Sequence, residues 1–315
     1  MKCVLFCSHK SSLFTALYLL KNGHLSGVVA AGNSPEFVKE IEVFSRLHKI
    51  AFKLIESDKT LDGLADWIIK TEAKVIIVNT FSHKIPSTVL DSVPCGAWNI
   101  HSGALPEYRG PVPVFWQLRN GETQLTLSLH QMTAKLDSGP VFDQLKIELC
   151  EADTHDVALN RANQRAPELI EKLFNSLATD TVTLTPQDES LANYQTKPNQ
   201  KDFTINWERM DSKAIRNLVR ACNLIAGGAI SYYKSMEFRI YEVVCLPLND
   251  PPDEPPGTIA TITGDPNLYV LCRDSALLRM NVLGFSEAVC SGDHFKKMLD
   301  VKSGEKFTSS MEVNT

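Results

Sequence analysis

Residues 98–113 read W-N-I-H-S-G-A-L-P-E-Y-R-G-P-V-P, and residues 136–140 read L-D-S-G-P. Asn99 and His101 are two positions apart, so on a strand both side chains leave one face while Ile100 takes the other. Asp137 follows after roughly one hairpin's length of chain. An amide N–H and an imidazole can donate to an oxyanion developing on an attacked carbonyl, and a carboxylate can orient the imidazole or take a proton from an amine. The trio suits acyl transfer to a nitrogen nucleophile and requires no side-chain nucleophile. Ser102 adjoins His101, but it lies outside any G-x-S-x-G elbow and points away from its neighbour, which weighs against a serine hydrolase. Composition also allows a metal reading through His101, His130 and Asp137, without the tight His spacing that marks zinc. Taken singly, each of these residues reads as a structural hydrogen-bonder; the spacing and the loop beside it favour function. That loop, 102–113, is broken by Gly103, Pro106 and Gly110 and reads as long and ordered.

The elements that must position these residues fill the first half of the chain. Apolar runs at 3–7, 27–31, 51–55, 75–78, 97–101 and 125–130 alternate with helical patterns at 11–21, 35–47, 61–71 and 112–119, the signature of a parallel sheet covered by helices. The strands read as buried on both faces, as in a Rossmann-like, doubly wound, mostly parallel α/β sheet. A further strand is expected at 141–150 and a long amphipathic helix at 154–177, capped by Asp153 or Thr154. The Thr/Asp/Pro-rich stretch that follows reads as linker. Beyond it come a helix at 215–221 and short strands at 230–233, 238–245, 258–263, 268–273 and 277–282, the pattern of a small β-barrel. The acidic Pro cluster at 249–257 is a loop within it, and residues 308–315 are expected to fray. The expected organisation is a catalytic domain at 1–180, a linker at 181–204 and a C-terminal β-barrel domain at 205–308.

With 315 residues and 43% hydrophobic composition the chain can bury two cores. A formal charge of −5 and a sequence pI near 5.9 give no basic footprint for nucleic acid or acidic membrane. No apolar run approaches the ~18 to 20 residues of a membrane span, and a cytoplasmic protein is expected. The eight cysteines lack C-x-x-C spacing, sit mostly inside apolar runs and read as buried, reduced thiols. The first βα connection, Ser8-His9-Lys10-Ser11-Ser12, carries neither G-x-G-x-x-G nor G-K-S/T, so dinucleotide and P-loop readings lose support. It still falls at the carboxyl end of the first strand, where open α/β sheets bind ligands.

N-I-H at 99–101, L-P-E-Y-R-G at 105–110 and D-S-G-P at 137–140 together resemble the signature of the folate-dependent formyltransferases. That family contains methionyl-tRNA formyltransferase, glycinamide ribonucleotide formyltransferase and the amino-sugar N-formyltransferases. The likeness extends through the N-terminal domain and enters the second, where R-A at 220–221 and G-G-A at 227–229 resemble the barrel of the tRNA and amino-sugar branches. The resemblance implies formyl transfer from N10-formyltetrahydrofolate to a primary amine, with Asn99, His101 and Asp137 catalytic. Joined to the oxyanion argument above, the expected mechanism has Asn99 and a protonated His101 stabilising the oxyanion while Asp137 holds His101 charged and helps move the amine proton to the departing N10. It implies a pterin pocket from 79–86 and 132–136, contributed by Phe81, Ser82, His83, Ile85, Met132, Thr133 and Leu136, with Leu105 in the loop wall. Tyr108, Arg109 and Lys10 fall on the acceptor side, where the two cations can pair with a phosphate or carboxylate.

Three departures from the family pattern bear on the acceptor. Gly103-Ala104-Leu105-Pro106 stands where S-L-L-P is common, and Ile225-Ala226-Gly227 replaces P-W-P. The basic loop by which the tRNA enzymes grip the acceptor arm is here A-G-N-S-P-E-F-V-K at 31–39, with one Lys and no Arg. A small-molecule amine, most of all a nucleotide-linked amino sugar, therefore ranks above initiator tRNA. A formyltetrahydrofolate hydrolase and a non-catalytic folate-binding protein remain as alternatives, and the C-terminal domain is available for homodimerisation.

Overall fold

The computed structural model describes residues 1–32, 34–57, 61–223, 225–248, 252–285 and 288–311. The chain divides into two compact units: 1–113, 124–148 and 159–196 form the first, and 114–123, 149–158 and 197–315 the second.

The first unit holds a seven-stranded sheet of β1 (Cys3–Cys7), β2 (Leu25–Ala31), β3 (Ala51–Ile55), β4 (Val75–Asn79), β5 (Ala97–His101), β6 (Gln124–Gln131) and β7 (Val141–Glu148), in the order β3-β2-β1-β4-β5-β6-β7. β1 to β5 are parallel and β6 and β7 antiparallel, which is the expected mostly parallel α/β sheet. In chain order the helices are α1 (Leu13–Lys21), α2 (Pro35–Leu47), α3 (Leu64–Lys70), α4 (Ser87–Leu90), α5 (Pro113–Arg119) and α6 (His155–Ala178), of which α5 from residue 114 and the first turn of α6 fall in the second unit. β1 and β4 are buried on both faces, which is why C-V-L-F-C and V-I-I-V-N carry no alternation. At the two edges this fails: β3 is half-buried along most of its length, and β7 leaves alternate residues to solvent.

Local signals account for the helix starts. Ser34 accepts from the Phe37 N–H and Pro35 opens α2. The helix expected from 11 begins as a 3-10 turn over Lys10–Ser12, capped by the His9 side chain, and the one expected from 61 begins at Leu64, after a left-handed Gly63. In α6 the small residues Ala162 and Ala166 and then Leu169, Ile170 and Leu173 are buried along one stripe, and Asn163 among them accepts from Asn79 at the end of β4. That bond ties the carboxyl end of a central strand to the helix layer.

The strand order changes direction between β1 and β4, the place where open α/β sheets present ligand crevices. Ser8, just after β1, accepts from the N–H of Ser82, just after β4, at 3.1 Å. β5 continues from this point, with Asn99 paired to Val78 of β4 on one side and to His130 of β6 on the other.

In the second unit α7 (Gln200–Phe203) and α8 (Ser212–Cys222) precede β8 (Ala229–Tyr233), β9 (Met236–Leu246), β10 (Ile259–Ala260), β11 (Tyr269–Leu271), β12 (Leu277–Phe285) and β13 (Ala288–Ser291), followed by α9 (Gly292–Met298) and β14 (Phe307–Thr308). The path runs β10-β11-β12-β9-β8-β14, with β13 beside β12. Hydrogen bonds from Ile259 to Glu305, Gly304 to Ile259 and Phe307 to Gly257 join its two ends, closing the small barrel. Trp207, Phe238, Phe295 and Phe307 fill it, and the Trp207 indole N–H is satisfied by Ser231 at 3.0 Å.

Several expectations need correction. The barrel strands expected at 258–263 and 268–273 are two- and three-residue pieces, and α7, α9, β13 and β14 were not expected at all. Four of the eight cysteines, Cys3, Cys7, Cys222 and Cys272, are buried, whereas Cys150 is exposed. Residues 249–251 of the acidic loop and 312–315 of the fraying end lie outside the described residues. Among the described residues no helix is long and apolar enough to cross a membrane.

Candidate active site

β5 carries Asn99 and His101 to the carboxyl end of the sheet on one face, as the two-residue period requires. Asp137 reaches them from the turn that joins the β6 and β7 hairpin, in a left-handed conformation with φ of 50°. Its Oδ2 lies 3.8 Å from His101 Nδ1 and accepts the Gly110 N–H at 2.9 Å. Its Oδ1 lies 3.4 Å from Asn99 Nδ2 and 3.7 Å from His130 Nε2. The structure therefore brings the three sequence-predicted residues together and adds His130, which stands opposite Asn99 in the β5–β6 ladder.

Hydrogen-bond partners assign the tautomers. His101 Nε2 is 2.6 Å from the Tyr108 carbonyl oxygen, so it carries the proton and donates there, leaving Nδ1 turned to Asp137. His130 Nδ1 donates to the Gln131 carbonyl at 3.1 Å, and its Nε2 accepts from Asn99 Nδ2 at 3.2 Å. Both amide contacts of Asn99 are longer than the usual ~2.9 to 3.0 Å, loose enough for a substrate oxygen to replace one of them.

Burial pushes His101 below the ordinary histidine range and outweighs the opposing pull of Asp137 and the Tyr108 carbonyl. Burial alone would raise Asp137, but His101, His130 and the Gly110 N–H overcome it and hold the carboxyl at about 2. Both directions favour a neutral imidazole beside a carboxylate in the ligand-free protein, whereas the expectation from the sequence is a protonated His101 facing the oxyanion during reaction.

The loop after β5 is held from below. Ser128, paired with His101 in the ladder, donates to the Gly103 carbonyl at 2.6 Å, and Gln144 donates both to Ser128 and to the Leu105 carbonyl. A Cβ at Gly103 would come within 2.8 Å of His101 Nε2, Pro113 Cβ and the Tyr108 carbonyl oxygen. Thr80, Val112 and Asp137 all have positive φ, so the three segments bordering the site depart from relaxed backbone.

Around this centre Phe81 is half-buried, edge-on to Phe6 at 5.1 Å and beside His83 at 5.8 Å. Met132 packs on the same apolar cluster as Phe81. Ser82 and Thr133 are exposed, and Leu136 is an exposed apolar side chain next to Asp137. Ile85 and Leu105 are buried, so they back the site as core residues. Tyr108 is buried and offers its carbonyl to His101. Lys10 is exposed and only 4.0 Å from Glu40, a loose pairing.

Arg109 requires correction. It has no solvent exposure, and its guanidinium donates to Glu189 at 2.7 and 3.2 Å, to Gln187 at 3.0 Å and to Tyr194 at 3.2 Å. Its charge is taken up within the fold and is not offered to a ligand phosphate. The partners lie in 181–196, the stretch that reads as linker; it is packed on the first unit, with Thr185 bridged to Val141 and Tyr194 to Arg109. Gln187 is the residue that sequence reasoning missed: it donates to the Asp137 carbonyl, and nothing in the pattern of P-Q-D-E-S announces it.

Residues 1–173 match the model of the formyl transferase domain, and residues 197–288 that of the formyl transferase C-terminal domain. An N-formyltransferase from Helicobacter canadensis, solved with folinic acid and dTDP-3-aminofucose, is similar at a TM-score of 0.67 and 16% identity over 89% of this chain and 98% of that one. WlaRD, a sugar 3N-formyl transferase solved with dTDP and 5-N-formyl-THF, gives 0.66 and 16% over 89% and 96%. HypX from Aquifex aeolicus, solved with tetrahydrofolic acid, gives 0.64 and 18% over 96% of this chain and 48% of that longer one.

Proposed function

From the premise that this chain belongs to the formyl transferase family, we propose that it moves a formyl group from N10-formyltetrahydrofolate to the primary amine of a nucleotide-linked amino sugar. The observation that carries the reading is the meeting of Asn99, His101 and Asp137 at the carboxyl end of β5, with the Asp137 carboxylate 3.8 Å from His101 Nδ1 and 3.4 Å from Asn99 Nδ2. The sugar N-formyltransferases of similar fold support the choice of acceptor, as does the lack of a basic loop at 31–39.

The residues beside this centre fit a pterin. A flat heteroaromatic ring needs apolar walls and polar edges, and half-buried Phe81 and Met132 with exposed Leu136 supply the former, while Ser82, His83 and Thr133 supply the latter. When bound, the donor supplies an activated one-carbon group. Asn99 offers amide N–H to the carbonyl oxygen as charge develops on it, exchanging one of its long contacts for a shorter one. His101 takes the amine proton at Nδ1, since Nε2–H is committed to Tyr108. Asp137 stabilises the resulting imidazolium from 3.8 Å and is itself fixed by the Gly110 N–H. The imidazolium can then protonate the departing nitrogen.

The test is an acceptor panel with N10-formyltetrahydrofolate: dTDP- and UDP-linked amino sugars, charged initiator tRNA, and buffer alone. Tetrahydrofolate release with an amino-sugar nucleotide is expected. Turnover with tRNA only, or formate release without any amine, would replace this reading by the tRNA enzyme or the hydrolase.

A further inference from the structure

The geometry points to Gln187 as a positioning residue for Asp137, itself anchored by Arg109; the inference rests on the role proposed above for Asp137. Gln187 Nε2 donates to the carbonyl oxygens of Asp137 at 2.8 Å and of Gly139 at 2.6 Å, and its Oε1 accepts from Arg109 Nε at 3.0 Å. A primary amide is a neutral group with two donors and an acceptor in one plane, so it can grip two carbonyls and still be held from behind.

The turn it grips needs holding. Asp137 is left-handed, a conformation that costs free energy for a residue with a side chain and persists only where the surroundings impose it. Gly139 lies so close to the Gln131 carbonyl that a Cβ there would overlap it, so the turn has little room to relax on that side. The Asp137 carboxylate can keep its place opposite His101 only if its backbone is fixed, and Gln187 fixes that backbone on both sides of Ser138.

Arg109 in turn ties Gln187 to the other wall of the site. The guanidinium spans Gln187, Glu189 and Tyr194, while the backbone of 193–195 bonds to that of Pro106 and Arg109 at 3.1, 3.0 and 2.8 Å. Gly110, left-handed with φ of 97°, leaves room for the Gln195 carbonyl, which a Cβ there would overlap. Lys135 adds a second cation on Glu189, and together with Arg109 it holds that carboxyl at about 2. A tether between units needs only its two ends; this segment is bonded to the 106–110 loop and to the 135–139 turn, the two loops that carry Tyr108 and Asp137.

The experiment uses the full-length protein with Gln187→Leu, the near-isosteric Gln187→Glu, and Asp137→Asn as reference. Transfer from N10-formyltetrahydrofolate to a dTDP-linked 3-amino sugar gives kcat and KM, and NMR of the ligand-free protein follows the His101 ring against pH. Loss of a group that orients a reacting group is typically worth about 10–100-fold, so both Gln187 variants should lose kcat by that order with donor and acceptor KM within about twofold. His101 should titrate at lower pH in both, because a displaced carboxylate no longer raises it. Activity within twofold of wild type, an unmoved His101 titration, or equal losses in kcat, KM and thermal stability would each overturn the assignment. If Asp137→Asn keeps its activity, the proposed role of Asp137 falls, and with it a role for Gln187 acting through Asp137.

Discussion

His101 donates from Nε2 to the Tyr108 carbonyl oxygen at 2.6 Å, and this bond decides which ring nitrogen is left for chemistry. Nδ1 is then the basic site, and burial keeps it unprotonated until lower pH than for a free histidine. If His101 acts as the base, kcat/KM should rise with pH through a pKa below 6.5 and stay level through neutrality. A rate profile for the best acceptor of the panel checks this. Activity that falls as pH rises through 6 to 7 would mark a protonated histidine as the working form and sink the base assignment. His101→Ala should lose on the order of 10² to 10⁴ in kcat.

The same pair should govern acid stability. Asp137 has its carboxyl lowered from 3.8 to about 2 in the fold, so its contribution is fully present above the ordinary carboxylate value and is lost as pH falls through about 2. At about 1.4 kcal/mol per pKa unit this amounts to roughly 2 kcal/mol. His101, lowered by burial, acts in the same direction: its neutral form is favoured by folding, and that contribution fades as pH falls from 6.5 through its folded value. Urea unfolding between pH 2 and 7 should show stability declining with acid, and Asp137→Asn should flatten the part between 4 and 2. An unchanged slope in that variant would show that Asp137 does not carry the effect.

Gly103 has no room for a side chain. Its hypothetical Cβ meets His101 Nε2, the Tyr108 carbonyl and Pro113 Cβ at 2.8 Å, and two of the three are the ends of the bond that orients the imidazole. Gly103→Ser, which restores the residue common in the family at this place, should cost about 1–3 kcal/mol in stability and lower kcat, by pushing the loop off His101. Thermal unfolding and kinetics on the same sample separate the two effects. Wild-type values in both would mean that the loop yields without disturbing His101.

Legibility in the sequence followed the range of the interactions. β1 and β4 are readable because burial on both faces leaves uninterrupted apolar runs, and Asn99 and His101 share a face by the two-residue period of β5 alone. Arg109 was misread because its partners Gln187 and Glu189 lie 78 and 80 residues away, in a stretch whose hydrogen bonds go to loops and so impose no period. The lowered basicity of His101 is not legible for a related reason: it comes from burial of the ring, which exists only in the folded chain and outweighs the opposing pull of Asp137 and the Tyr108 carbonyl. β14 has no signature, and β10 is shorter than the apolar run at 258–263 suggests, because two residues each suffice to close the barrel through backbone bonds, which leave no side-chain pattern.

Lys10 is the remaining test of the acceptor class. With Arg109 spent on Glu189, Lys10 is the exposed cation of the substrate-side residues, in the turn after β1, and its contact with Glu40 at 4.0 Å between half-exposed groups is worth little. If the acceptor carries a diphosphate, Lys10→Ala should raise its KM by about 3–10-fold while leaving kcat and the donor KM in place, because a charge that only binds the ground state contributes equally to the transition state. The penalty should shrink in added salt, since an exposed cation is screened over a Debye length of about 10 Å at 0.1 M. Lys10→Arg should recover most of the loss, as it keeps the charge. A variant with unchanged acceptor KM at low salt would remove Lys10 from the acceptor site and leave the phosphate without a cation among the residues assigned to it.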